Sequence, residues 1–119
     1  MAGIEARGFI LASPVACRLG AGFVPIRKKG KLPGVTLAQD YDLEYGTATI
    51  EVLTDAFAPA ERVLVIDDVL ATGGTARATA DLVRRTGAHV AGLAVLMELS
   101  FLNGRARLAD LPVSALLTV

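Results

Sequence analysis

The stretch Val63 to Thr75, written VLVIDDVLATGGT, constrains the fold more than any other part of the chain. Val63, Leu64, Val65 and Ile66 form a continuous apolar run that ends in two adjacent carboxylates, Asp67 and Asp68. β-Branched residues in an uninterrupted run predict a strand buried on both faces, as parallel sheets require. Val69-Leu70-Ala71 then leads into Thr72-Gly73-Gly74-Thr75, where a helical pattern begins. Two glycines at a strand-to-helix junction allow backbone N–H groups to crowd round an anion at the positive helix end. Carboxylates just before such a loop suit hydroxyls or a hydrated magnesium ion. The combination predicts a phosphate cradle flanked by acids, and hence a sugar phosphate as ligand.

The remaining composition narrows the classes of partner. With 12 basic and 12 acidic residues, no global charge recruits nucleic acid or a membrane surface. Aromatic residues make up 5% of the chain and Trp is absent, which argues against a base-stacking nucleic-acid surface. At 119 residues a single domain is expected. The lone Cys17 cannot form an internal disulfide, so a reducing, cytoplasmic setting is expected. Its apolar neighbours Val15, Ala16 and Leu19 predict a buried thiol that packs as a small hydrophobe. No apolar run approaches the roughly 20 residues that span a bilayer.

In chain order, Met1 to Arg7 reads as the end of a strand entering a loop. Gly8 to Leu19 reads as a helix stopped by Gly20 or Gly22, with Pro14 either kinking it or delaying its start to about Ser13. A short strand, Gly22 to Ile26, precedes Arg27-Lys28-Lys29-Gly30-Lys31, which has four cations in five positions and no interleaved acid. Such a run is often only a solvated loop. Here it follows a strand, as the acid-glycine loop does, and parallel sheets gather their sites at strand carboxyl ends. That shared position predicts polyanion binding. Val35 to Leu53 predicts a β-hairpin or flap standing off the main sheet, because nothing helical separates its segments. Gly74 to Thr86 reads as an amphipathic helix with Gly87 as its stop, and Ala88 to Met97 as a second buried strand. His89 reads as a surface side chain, since no second His exists to share a metal. Asn103 to Ala109 is a polar turn or short helix, and Val113 to Val119 a final strand. The alternation predicts an α/β fold with a mainly parallel central sheet flanked by helices.

Several common nucleotide and catalytic signatures are missing. ATGGT lacks the lysine and the spacing of a P-loop, and no GxGxxG follows a strand. No Cys/His set has metal-ligand spacing, and no Ser–His or Cys–His pairing supports a covalent nucleophile. A reaction that needs only charge placement fits better.

VLVIDDVLATGGT closely resembles the phosphoribosyl-diphosphate signature of the type I phosphoribosyltransferases. The segments GIEARGF, IRKKGKLPG and LEYGT, in that order, narrow the resemblance to the adenine phosphoribosyltransferase family, and VLMELSFLNGR looks like that family's later strand and loop. ATGGT alone marks only the broad family; LEYG together with RKKGKLPG is much more specific.

The resemblance implies a type I phosphoribosyltransferase fold with a β-hairpin flap. The implied reaction is purine salvage, in which adenine and 5-phosphoribosyl 1-diphosphate give AMP and pyrophosphate. Ala71, Thr72, Gly73, Gly74 and Thr75 would hold the 5′-phosphate. Asp67 and Asp68 would face the ribose hydroxyls, directly or through Mg2+ bound with the substrate. Arg7, in a loop that in this family often carries a non-proline cis peptide, would contact pyrophosphate, as would Arg27, Lys28 and Lys31. Glu44 and Tyr45 would sit on the flap, with Glu44 as proton partner of the adenine ring, and Leu99 would line the base pocket. A homodimer formed through the sheet-flanking helices and the Arg27 loop is a further implication. Family members carry a substantial segment before GIEARGF, including an N-terminal strand and part of the hood over the base. Met1 stands two residues before that motif, so a clipped first strand and missing adenine contacts are expected. The alternative is a non-catalytic module that still binds phosphoribosyl diphosphate or AMP.

Overall fold

The computed structural model describes residues 1–43 and 45–119, so Glu44 lies outside the described residues. The strands are β1 (Ala2–Ile4), β2 (Val24–Lys28), β3 (Thr36–Asp42), β4 (Thr47–Leu53), β5 (Arg62–Leu70), β6 (His89–Glu98) and β7 (Val113–Thr118). Two helices, α1 (Arg7–Leu19) and α2 (Gly74–Arg85), alternate with them, and two short 3-10 turns cover Ser100–Leu102 and Gly104–Leu108. The described residues form a seven-stranded sheet in the order β3-β4-β2-β1-β5-β6-β7. β1 pairs in parallel with both β2 and β5, and β5, β6 and β7 continue the parallel run. The expected mainly parallel α/β fold is therefore present.

This order fixes where a ligand can sit. β1 connects outward to β2 on one side, whereas β5 connects to β6 on the other. Right-handed crossovers running in opposite directions put α1 and α2 on opposite faces and leave a crevice between the carboxyl ends of β1 and β5. The principal core lies under α2, where Leu82, Val83 and Thr79 bury against Val63, Val65, Leu93 and Val95. The opposite face is more open. There Leu11, Pro14 and Val15 of α1 and Leu64, Leu96 and Leu116 of the sheet line an apolar groove of about 330 Å³.

Three local expectations change, while the helix expected over Gly8 to Leu19 is present. α1 runs from Arg7 through Pro14 to Leu19, so its start is not delayed to Ser13. It ends at Gly20, whose φ of 66° lets the following N–H groups turn back onto the carbonyls of Ala16 and Cys17. Cys17 is exposed, not buried. Ala12 and Ala16 are the residues of that stretch that face inward, and Cys17 falls on the outer side of the helix. The hairpin does not stand off the sheet. β3 and β4 pair antiparallel along their whole length, and β4 joins β2 through Arg27↔Glu51 and Lys28↔Ile50. The Arg85 guanidinium also donates to the Ala38 carbonyl and to Gln39 Oε1, which ties β3 to α2. β2 starts and ends two residues later than expected, so Arg27 and Lys28 are strand residues. His89 is exposed at the start of β6, as expected.

Candidate active site

The carboxyl ends of β1 and β5, the start of α1 and the hairpin enclose a cleft of about 440 Å³. Its wall brings together Glu5, Arg7, Lys28, Tyr41, Asp67, Asp68, Ala71 and Thr75. Residues separated by more than 60 positions in sequence thus share one recess, because β1 and β5 are hydrogen-bonded neighbours.

The floor is the turn from β5 into α2. Gly73 caps α2 with φ of 88°, a left-handed conformation that other residues rarely adopt, and it offers no side chain to the helix start. The first N–H groups of α2 consequently point outward at the positive helix end, where an anion is favoured. Thr75 lines the cleft, and Thr72 and Gly73 line a smaller adjoining recess with Asp67 and Ala71. Thr79 steadies the first turn by donating its hydroxyl to the Thr75 carbonyl at 2.8 Å.

The acids sit directly above. Asp67 Oδ1 accepts the Asp68 amide at 2.9 Å, and Asp68 Oδ1 accepts the Val69 amide at 2.9 Å. Burial pushes the Asp67 carboxyl up to about 7, helped by the neighbouring Asp68 charge and opposed by the Asp68 amide and Arg7. Asp68 instead pairs with Arg7, Nε to Oδ2, at 2.6 Å. Among the described residues no group of three or more His, Cys, Asp or Glu could form a metal cage. Two carboxylates alone suit magnesium that keeps its waters and shares a substrate's phosphate oxygens.

Glu5, which the sequence did not single out, organises the basic side. Its carboxylate accepts Arg27 Nε at 3.0 Å, the Lys28 amide at 3.1 Å and Lys31 Nζ at 2.8 Å, with its own side chain 8% exposed. Burial opposes its ionisation, but these three donors prevail and hold the carboxyl down at about 2. Arg27 also lies over the Phe9 ring, 5.9 Å from its centre. Lys28 therefore faces the cleft, while Arg27 and Lys31 are held at its edge by Glu5. The Glu5–Ala6 peptide is cis. A signal for Glu5 did exist: it is the acid at the carboxyl end of a strand, two residues before Arg7.

Two expected residues lie apart from this cluster. Tyr45 is 90% exposed at the hairpin tip. Leu99 follows β6, where its N–H donates to the Leu70 carbonyl at 2.9 Å, beside the turn from β5 into α2 but not on the wall of the cleft. The Glu44 expectation falls outside the described residues.

Residues 1–110 match the phosphoribosyl transferase domain family. The chain belongs to that family. Adenine phosphoribosyltransferases are its similar relatives: the protein from Thermobifida fusca is 66% identical over the whole of this chain and 68% of its own length. The crystal structure of the Rhodothermus marinus adenine phosphoribosyltransferase matches with a TM-score of 0.96 at 59% identity, covering 99% of this chain and 68% of that one. The Saccharomyces cerevisiae adenine phosphoribosyltransferase, solved with adenine and an imino-altritol bisphosphate, matches with a TM-score of 0.91 at 42% identity, covering 94% and 63%. The chain thus spans about two-thirds of the length of the phosphoribosyltransferases it matches.

Proposed function

We propose that this chain carries the catalytic core of an adenine phosphoribosyltransferase, which transfers the phosphoribosyl group of 5-phosphoribosyl 1-diphosphate to adenine and releases pyrophosphate and AMP. The observation that carries this reading is the cleft whose wall Arg7, Lys28, Asp67 and Asp68 share with Ala71 and Thr75 of the phosphate-binding turn. A substrate with a phosphate at one end, a ribose in the middle and pyrophosphate at the other matches that order of charges.

In this reading Ala71 to Thr75 fix the 5′-phosphate, and Asp67 and Asp68 hold the ribose hydroxyls. Bond breaking at the anomeric carbon leaves positive charge on the sugar, which Asp68, and Asp67 once it has given up its proton, stabilise from close range. Arg7, Lys28, Arg27 and Lys31 receive the departing pyrophosphate, the last two after exchanging Glu5 for the ligand. Glu44 acts as proton partner of the adenine ring, Tyr45 closes over the base with the hairpin, and Leu99 lines the base side. Closure excludes water from the reactive sugar. Magnesium bound with the substrate would add positive charge at the pyrophosphate. No helix of the described residues is long and apolar enough to cross a membrane, and a cytoplasmic homodimer fits this reading. Ile10 and Leu19, exposed on α1, are apolar surface for such a contact.

Adenine-dependent release of pyrophosphate, with hypoxanthine as control base, tests the proposal. AMP formation from adenine alone is expected. Binding of phosphoribosyl diphosphate with no turnover, in this chain and in a version extended at its N-terminus, would identify a non-catalytic binding module instead.

A further inference from the structure

The wall behind the phosphate loop is built by a segment with no part in the chemistry above. Gly104 is buried against the loop's outer side: a Cβ there would overlap the Ala71 carbonyl oxygen and lie 3.0 Å from the Gly73 nitrogen. The contact is mutual, since a Cβ on Gly73 would lie 2.6 Å from the Gly104 carbonyl oxygen. Two main chains therefore meet without a side chain between them, and each limits where the other can move.

Gly104 is itself held in place from both sides. On one side Arg105 grips Glu98, at the end of β6, with Nε and Nη2 at 3.0 and 2.6 Å, and it donates to the Val113 carbonyl at 2.9 Å. This two-pronged geometry fixes direction as well as distance. Glu98 is 6% exposed and pairs in register with Leu70, the last residue before the phosphate loop. On the other side Arg77 of α2 reaches Asp110 at 2.7 Å and the Arg107 carbonyl at 3.3 Å. The turn at Gly104 is thus strapped to β6 and to α2, the element whose N-terminus faces the anion.

We propose that Gly104 and its Glu98–Arg105 strut are positioning residues for the 5′-phosphate: they hold the backbone N–H groups of Ala71 to Thr75 at the spacing an anion needs, without touching the ligand. The proposal rests on the assignment of Ala71 to Thr75 as the phosphate site. A buttress of this kind predicts a selective defect, because Glu5 follows β1, Arg7 starts α1 and Lys28 ends β2, none of which the strut touches.

The test compares binding of ribose 5-phosphate and of pyrophosphate with magnesium, by calorimetry, in the parent chain and in Gly104→Ala. Ribose 5-phosphate affinity is expected to fall roughly tenfold to a hundredfold, the scale of a small displacement in a preorganised site. Pyrophosphate affinity is expected to stay within about twofold, and KM for phosphoribosyl diphosphate to rise more than kcat falls. Unchanged ribose 5-phosphate affinity, or equal loss of both ligands, overturns the positioning role. Should Gly104→Ala not fold, Arg105→Met decides on the same two readouts, since it removes the strut at an exposed side chain and leaves the loop sequence intact. A parent chain that binds pyrophosphate but not ribose 5-phosphate would instead sink the phosphate-site assignment, and this inference with it.

Discussion

Arg7 Nε stands 2.6 Å from Asp68 Oδ2, so a cation assigned to pyrophosphate and an acid assigned to ribose neutralise one another across the mouth of the cleft. Arg7 is 78% exposed and Asp68 18%. An ion pair with one partner so open contributes less than about 1 kcal/mol to stability. Under the proposed function, its worth lies in what each partner would exchange for: pyrophosphate for Arg7, hydroxyls or magnesium for Asp68.

Arg7→Ala is therefore expected to separate ligand binding from stability. Loss of a charge-assisted hydrogen bond to pyrophosphate, worth about 1.5–3 kcal/mol, corresponds to a roughly tenfold to hundredfold weaker affinity. The thermal midpoint should move by less than about 6 °C, as a change below 1 kcal/mol implies for a domain of this size. Calorimetric titration with pyrophosphate beside a melting curve checks both. A large drop in melting temperature with intact affinity would make Arg7 a structural residue.

Glu5 gives the opposite pattern. Its nearly buried carboxylate takes three donors, whereas Lys31 is 49% exposed and Arg27 34%. Glu5→Gln removes the charge that all three donors share and is expected to cost about 1–3 kcal/mol. Lys31→Met leaves Glu5 still bound by Arg27 and the Lys28 amide, and should cost less than about 1 kcal/mol. Urea denaturation of the two variants ranks them. The reverse order would show that the basic run, not Glu5, holds this edge of the site together.

Asp67 sets the expected pH dependence. Its carboxyl is raised from an ordinary 3.8 to about 7, so the folded state keeps a proton that the unfolded chain gives up from about pH 4. Stability from this group is complete below the unfolded value and is lost as pH rises towards 7. Glu5 works in the other direction: held at about 2, it adds stability above its ordinary 4.5 that disappears as pH falls towards 2. Denaturation midpoints measured from pH 4 to 8 should therefore decline for the parent chain and flatten for Asp67→Asn. An identical slope in both would place the proton elsewhere.

How much of this was legible beforehand follows from the range of the forces involved. VLVIDDVLATGGT announced a strand, a turn and a helix because those signals are local: branched apolar residues, paired glycines and then an amphipathic period. The crevice depended on which strands became neighbours; the carboxyl-end rule supplied it for Lys28, Asp67 and Asp68, whereas Arg7 came only from the family resemblance. Glu5 carries the signal of an acid at a strand's carboxyl end, but its partners are not legible there, because Arg27 comes alongside only once β1 and β2 are paired. Cys17 misled because its neighbours in sequence are apolar, while the inward face of α1 is carried by Ala12 and Ala16. The hairpin reads as detached because nothing helical separates its segments, and its join to β2 rests on two residue pairs, too few to leave a pattern in the sequence.

The first turn of α1 offers a last test of how closely β5 and α1 are fitted. A Cβ at Gly8 would lie 3.0 Å from the Ile66 carbonyl oxygen and 3.1 Å from Asp67 Oδ1. Alanine there must push the helix start off the sheet or turn the Asp67 carboxylate aside, and overpacking of this kind costs about 1–3 kcal/mol. Because Arg7 precedes Gly8, the same displacement moves its guanidinium relative to Asp68. Gly22 is the internal control, since a Cβ there meets nothing within 4 Å. Gly8→Ala should therefore lower the melting temperature by several degrees and raise KM for phosphoribosyl diphosphate, whereas Gly22→Ala should do neither. Equal behaviour of the two variants would mean that α1 slides freely on β5, and that the spacing of Arg7 from the two aspartates is not set by this contact.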